Sequence, residues 1–185
     1  LYVILGLLEI KAYDDAKKYI LKTQEIHEEV ISKFVSIEDK YVRGLLISRE
    51  SVAKERKIEF LLTEESFLEE EHGIIDSNDI VTILGNLIEN AFEACALCGD
   101  IKKKVEVSLY EDDLVIEMQV RDNGKSIDNK IRDIMFTEGI SSKGEDRGTG
   151  LYLVKNRVEI YNGSIDIEEF DDEKIFVVTI LKGGI

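Results

Sequence analysis

Apolar residues at Ile80, Ile83, Leu84, Leu87, Ile88, Ala91 and Cys95 recur at helical spacing, which predicts a helix with one buried stripe. Asn86, Asn90 and Glu93 fall on another face, four and then three apart, so the same helix carries them in one row. Ser77 is the candidate N-cap, and Gly99 and Asp100 end the helix. Upstream, Leu1 to Lys11 is apolar almost all round and predicts a buried bundle helix. Ala12 to Asp15 makes a turn, with Asp14 or Asp15 as the candidate cap. Tyr13, Ala16, Ile20, Thr23, His27, Val30 and Phe34 then alternate steps of three and four, the seam of coiled-coil-like packing. Two helices joined by a short turn form a hairpin, which either dimerises into a four-helix bundle or packs on its own domain.

Ser36 to Asp39 is a polar break and the expected boundary between a helical hairpin, 1–36, and a second domain, 40–185. Lys40 to Arg56 is amphipathic through Val42, Leu45, Leu46 and Val52, and Ile58 to Leu62 is a short β-prone run. Glu64 to Asn78 is acidic and loop-like. Val105, Val107 and Leu109 alternate, Glu111 to Asp113 turn, and Leu114, Ile116, Met118 and Val120 alternate again, predicting an antiparallel hairpin with one covered face. Ile131 to Phe136 is a short helix and Thr137 to Arg147 is polar. A helix from Gly148 to about Tyr161 is followed by the turn Asn162-Gly163 and a last hairpin of Ile165 to Glu168 and Ile175 to Leu181, joined through Asp171-Asp172. Strands and helices mix without βαβ repetition, so the fold class is α+β, helices over one face of a mixed sheet.

Composition narrows the function classes. The 185 residues are 44% hydrophobic, enough for a real core. No apolar run approaches the ~18 residues that span a bilayer, and Leu1 to Leu8 lacks the basic flank and cleavage site of a signal peptide. The chain opens at Leu1 without Met, so it is expected to be a piece of a longer protein. A formal charge of −15 argues against a nucleic-acid partner. It does not exclude a phosphorylated ligand, because screening acts over about 8 Å and local groups decide binding. Cys95 and Cys98 form a Cys-x-x-Cys with no second pair for zinc and no position at the start of a helix after a strand, so two reduced thiols are expected.

Three stretches carry candidate chemistry. Two mid-helix Asn at i and i+4 are either a solvated face or neutral oxygen ligands for a Mg²⁺ that already holds a polyphosphate. Asp122-Asn123-Gly124 closes an apolar strand and is either an ordinary turn or the floor of a pocket. Gly148-Thr149-Gly150 opens a helix and offers bare backbone N–H groups at the positive end of its dipole, a site for phosphate oxygens. It is neither a P-loop nor a dinucleotide fingerprint, since no Gly-Lys-Ser/Thr follows and no strand with the right spacing precedes.

In this order, the Asn-bearing helix, the strand ending in Asp-x-Gly, the glycine-rich stretch and its helix resemble the GHKL ATP-binding fold of gyrase, Hsp90, MutL and histidine kinases. Gly85-Asn86-Leu87-Ile88-Glu89-Asn90-Ala91 looks like the N box of a sensor histidine kinase, and essentially the whole chain is similar to the citrate/C4-dicarboxylate sensor kinases. The resemblance implies a Bergerat/GHKL sandwich after a hairpin, binding Mg-ATP. Asp122 would accept from the adenine amine, with Gly124 and Ile127 beside the base. Phe136, Lys143, Arg147, Gly148, Thr149, Gly150 and Leu151 would form the F box, lid and phosphate-binding helix start. Asn90 would hold Mg²⁺, and Asn86 and Glu89 are the residues put forward for catalysis. In such kinases the γ-phosphoryl goes to a His on the hairpin. His27 lies on the seam and His72 in an acidic loop, expected to be solvated, so the acceptor is expected upstream of Leu1. The implied partners are a response regulator and a second copy of the hairpin, and the implied setting is the cytoplasmic part of a membrane-anchored sensor. Two departures stand out: Ser126 replaces the second glycine of Asp-x-Gly-x-Gly, and Lys125 stands where proline is common. The alternatives are a non-catalytic phosphotransfer or scaffold protein with a relic ATP fold, and a gyrase- or MutL-like ATPase, which would need a Glu where Asn86 stands.

Overall fold

In the computed structural model, residues 2–24, 28–99, 102–132, 134–137, 150–170 and 172–183 are described. The chain divides into two compact units, Leu1–Lys33 and Phe34–Ile185.

The first unit holds helices α1 (Tyr2–Glu9), α2 (Tyr13–Gln24) and α3 (Glu28–Ser32). α1 ends where Lys11 takes a left-handed φ of 58° and its N–H returns to the Leu8 carbonyl (3.0 Å), while that of Ala12 reaches back to Leu7 (2.8 Å). This Schellman-type closure needs a positive φ at one residue, and here a lysine supplies it. Asp14 and Asp15 lie inside the first turn of α2, where they complement the helix dipole; they do not cap it. On the expected seam Ala16 is buried and Tyr13 is exposed; His27 lies outside the described residues.

The second unit begins at Phe34, which is wholly buried there and stacks at 6.4 Å on Phe60, itself edge-on to Phe92 at 5.7 Å. The last seam residue of the sequence pattern therefore belongs to this core. Asp39 caps α4 (Lys40–Glu55), accepting from the N–H groups of Tyr41 and Val42. Strand β1 (Glu59–Leu62) follows, then the long helix α5 (Ser77–Ala96), the strands β2 (Lys104–Glu111) and β3 (Val115–Asp122), the single turn α6 (Asn129–Arg132), α7 (Gly150–Ile160), and the hairpin β4 (Ser164–Phe170) and β5 (Glu173–Leu181). The five strands lie in the order β1-β2-β3-β5-β4, with β1 parallel to β2 and every other pair antiparallel.

Alternation decides which face is covered. Val105, Val107 and Leu109, then Ile116, Met118 and Val120, then Phe176, Val178 and Ile180 are all buried on one face of the sheet. α5 packs on that face with Ile80, Ile83, Leu84, Leu87, Ile88 and Phe92, and α7 adds Val154 and Val158. The β2–β3 turn comes one residue later than the sequence suggested: Glu111 remains in the strand, and Asp112 ties the turn by accepting from the N–H groups of Leu114 and Val115.

Glu111 stays because its side chain has an interior role. His72, expected on the surface, is only 3% exposed. Its Nε2 lies 2.8 Å from Asp39 Oδ2 and its Nδ1 lies 2.9 Å from Glu111 Oε2. Both ring nitrogens are thus engaged by carboxylates. Lys182 pairs with Glu111 at 2.6 Å, and the N–H of Glu69 also donates to it. Burial alone would raise the carboxyl of Asp39, but hydrogen bonds from His72, Ser77 and the backbone of Val42 and Tyr41 outweigh it and hold the group below its ordinary range. One chain of buried polar contacts thus ties the start of α4 to the loop before α5 and to the ends of β2 and β5.

Candidate functional site

α5 begins one residue earlier than its pattern suggested. Asp76, not Ser77, is the cap, accepting the N–H of Asn78 at 2.8 Å. Ser77 serves instead as a partner of Asp39. Midway along the helix, Asn86 donates to the Thr82 carbonyl of its own helix at 2.7 Å. That bond turns its Oδ1 toward the first residue of α7: a Cβ built on Gly150 would lie 3.0 Å from it. Gly150 thus makes a close approach to the Asn86 side chain that a larger residue would crowd. One turn on, Asn90 holds its amide nitrogen buried with no hydrogen-bond partner among the described residues. A buried unpaired amide costs on the order of 1–3 kcal/mol, so it marks a place where an acceptor from outside the protein would fit.

Glu89 faces elsewhere. Its two oxygens accept from Arg49 at 2.9 Å and from Arg56 at 2.8 Å, both on or just beyond α4, which makes it a brace between α4 and α5. Glu93, the third member of the polar row, is half-buried.

Asp122 ends β3 on the covered face, where the alternation of Ile116, Met118 and Val120 puts it, and is 1% exposed. Its Oδ1 accepts from the Gly124 N–H at 2.9 Å and from the Lys174 ammonium. Its Oδ2 is buried and has no hydrogen-bond partner among the described residues. Burial pushes this carboxyl up from its ordinary range, against the opposing pull of Lys174. Asn123 is structural: its amide bridges the Lys104 N–H and the Lys102 carbonyl, locking β3 to the start of β2. Gly124 is dictated by packing, since a Cβ there would come within 2.5 Å of the α5 backbone at Ala94 and Cys95. Among the described non-glycine residues only Lys11, Lys57 and Asn162 have positive φ, so Ser126 occupies its position without left-handed strain. Burial pushes the Cys95 thiol up to about 11, which leaves it an inert core side chain.

The wall after Asp122 is pinned from β4. Ile127 donates its N–H to Glu169 at 3.1 Å, and Arg132 binds the other oxygen of Glu169 at 2.5 Å and the Ile167 carbonyl at 3.1 Å. Phe136 is half-buried. Leu151 is half-buried in the first turn of α7. Tyr161 donates to Asp79 at 2.5 Å and Arg157 pairs with it at 3.2 Å, fixing α7 against α5. Lys143, Arg147, Gly148 and Thr149 lie outside the described residues. The structure thus brings Gly150 against Asn86 and, among the described residues, leaves a buried polar atom without a hydrogen-bond partner on each of Asn90 and Asp122.

The family of histidine kinase-, DNA gyrase B- and HSP90-like ATPases matches residues 75–183. The chain belongs to that family. It is 37% identical over 169 residues to the sensor histidine kinase DcuS of Escherichia coli, covering 91% of this chain and 31% of that protein. It is 33% identical over 167 residues to the sensor histidine kinase CitA of Klebsiella pneumoniae, and 36% identical over 168 residues to the sensor protein CitS of Bacillus subtilis, covering 89% and 90% of this chain and 30% and 31% of theirs. It therefore spans about a third of the length of these relatives. The fold is also that of the nucleotide-free catalytic domain of histidine kinase ThkA, with a TM-score of 0.63, 22% identity, and coverage of 77% of this chain and 91% of that one. No helix among the described residues is long and apolar enough to cross a membrane.

Lys174 went unnoticed in the sequence, although a signal was there. Phe176, Val178 and Ile180 alternate onto the covered face, and two residues before Phe176 the same rule points a lysine inward. A lysine facing a core requires an acidic partner.

Proposed function

We propose that this chain is the cytoplasmic kinase portion of a two-component sensor histidine kinase, binding Mg-ATP between α5, the end of β3 and the start of α7. The observation that carries the reading is the pair of buried, unpartnered polar atoms on Asn90 and Asp122, in a family of ATPases. Asp122 supplies the acceptor for the adenine amine. Asn90 supplies an amide for the phosphates and their Mg²⁺. The open Nδ2 of Asn90 would donate to a phosphate oxygen, and its Oδ1 would offer a neutral oxygen ligand to a Mg²⁺ held on the polyphosphate. Bound ATP supplies the transferable γ-phosphoryl; the protein contributes position and charge.

The acceptor is a histidine other than His72, whose ring nitrogens are both engaged in the interior. It lies on the hairpin outside this chain, and a response regulator receives the phosphoryl group in turn. The exposed apolar residues Leu5, Leu8 and Ile10 suit a hairpin that pairs with a second copy. The kinase works on the cytoplasmic side of a membrane-anchored sensor. The deciding measurement is calorimetry of Mg-ADP and Mg-ATP binding. A bond to a charged group is worth about 1.5–3 kcal/mol, so Asn90→Ala should weaken binding tenfold or more. Unchanged affinity in that variant removes Asn90 from the site, and no binding by the unaltered chain favours the relic scaffold.

A further inference from the structure

Resting on the nucleotide reading proposed above, we infer that Lys174 reads the base together with Asp122, donating to the ring nitrogen that neighbours the amine Asp122 accepts. Asp122 and Lys174 are direct cross-strand partners of β3 and β5 on the covered face, with Glu169 of β4 next in the row. Lys174 is 5% exposed, so its ammonium lies in the same enclosed end of the sheet as the carboxylate. An ammonium has three N–H donors. Among the described residues Nζ has two acceptors, Asp122 Oδ1 and the Lys125 carbonyl at 2.9 Å. Glu169, the remaining carboxylate of the row, is occupied by the Ile127 N–H and by Arg132.

Among the described residues, Asp122 Oδ2 thus has no donor, and Lys174, bound to the other oxygen of the same carboxylate, has a third N–H beyond its two acceptors. The ring edge that satisfies both presents an exocyclic amine beside an unprotonated ring nitrogen, as adenine does with N6 and N1. Guanine held in the same orientation places a carbonyl against Asp122 and an N–H against Lys174, and both contacts become repulsive. A carboxylate alone rejects the guanine carbonyl but is indifferent to the ring nitrogen. The lysine extends the reading by one atom. It also binds Lys125, in the stretch where this sequence departs from its family, so the donor and the altered loop are held together.

The test is calorimetry of the chain with Mg-ADP and with its 1-deaza analogue, in which ring nitrogen N1 is replaced by C–H. A lost hydrogen bond to a charged donor predicts that the unaltered chain binds the analogue about tenfold more weakly. Lys174→Met should bind ADP about tenfold more weakly and should no longer distinguish the two ligands. Lys174→Arg, which keeps a positive partner for Asp122 while displacing the donor, gives the same loss of discrimination and stands in if the Met variant does not melt cooperatively. A merely structural lysine weakens both ligands equally, and that result overturns the inference. So does an unaltered chain that binds ADP and the 1-deaza analogue within twofold. If the unaltered chain binds neither, the nucleotide reading itself falls; if it binds both equally, only the role of Lys174 does.

Discussion

His72→Ala should destabilise the second unit severely, although the residue touches no part of the nucleotide site. The substitution removes the ring whose two nitrogens pair with Asp39 and Glu111, both at most 5% exposed. Breaking a buried ion pair from one side costs on the order of 3–5 kcal/mol because the remaining charge is left uncompensated. Two features pull the value to the low end. Asp39 keeps the N–H groups of Tyr41 and Val42, and Glu111 keeps Lys182 and the N–H of Glu69. About 3 kcal/mol is a large share of the 5–15 kcal/mol that stabilises a typical domain. For a unit of this size it lowers the melting temperature by roughly 6–12 °C. Urea denaturation at pH 7, followed by far-UV circular dichroism, reads it directly. The folded pKa of Asp39 is depressed, so its share of the stability is fully present above the unfolded value and is lost as pH falls through the folded one. That part of the gap between the two proteins should persist at neutral pH and shrink below about pH 4. A loss under about 1 kcal/mol at pH 7 would refute the reasoning, since the carboxylates would then have found water or other partners.

Asp122→Asn should weaken adenine nucleotides more than inorganic triphosphate, because the amide can turn an N–H toward the adenine amine; equal losses in a calorimetric comparison would make Asp122 a purely structural residue. Gly124→Ala should cost about 1–3 kcal/mol in denaturant titrations, since its methyl would come within 2.5 Å of the α5 backbone; a neutral effect would mean that the loop moves freely from the helix. Incubation with γ-labelled ATP and Mg²⁺ should leave this chain without acid-labile phosphohistidine, and labelling that disappears in His27→Gln would move the acceptor to His27.

How much of this was legible in the sequence depended on the range of the interactions. The period-2 runs around Val105–Leu109 and Ile116–Val120 and the stripe of α5 follow from local alternation, and the sheet and its covering helix follow from them. The expectation for His72 failed because Glu69, Glu70 and Glu71 beside it suggest a solvated loop, while its partners lie 33 and 39 positions away and leave no local trace. Phe34 continued a heptad rhythm in the sequence, yet burial against Phe60 assigned it to the other unit. The resemblance put Gly124 beside the base; that a Cβ there would also meet the backbone of α5 could not be read from the sequence. The open atoms of Asn90 and Asp122 could be anticipated as residues but not as vacancies, since an unmet hydrogen bond is defined only once everything around it is placed.

The braced position of Glu89 bears on which chemistry the fold runs. Hydrolysis by a family ATPase needs a carboxylate free to take a proton from water, and such a group must lie within hydrogen-bond reach of that water. At the position where that carboxylate would stand, this chain has Asn86, an amide already donating to its own helix. Glu89, three residues on and off that row, is held by guanidinium groups on both oxygens and turned toward α4. To act as a base it would have to surrender a charge-assisted bond worth roughly 1.5–3 kcal/mol and leave the direction of Asn86 and Gly150. A site that positions a nucleotide without a ready base suits transfer to an incoming nucleophile better than attack by water, because phosphoryl transfer asks little of the protein beyond alignment and charge neutralisation. The same two arginines that restrain Glu89 also fix α4 against α5, so the feature that disfavours hydrolysis is one that holds the Asn86- and Asn90-bearing helix in place.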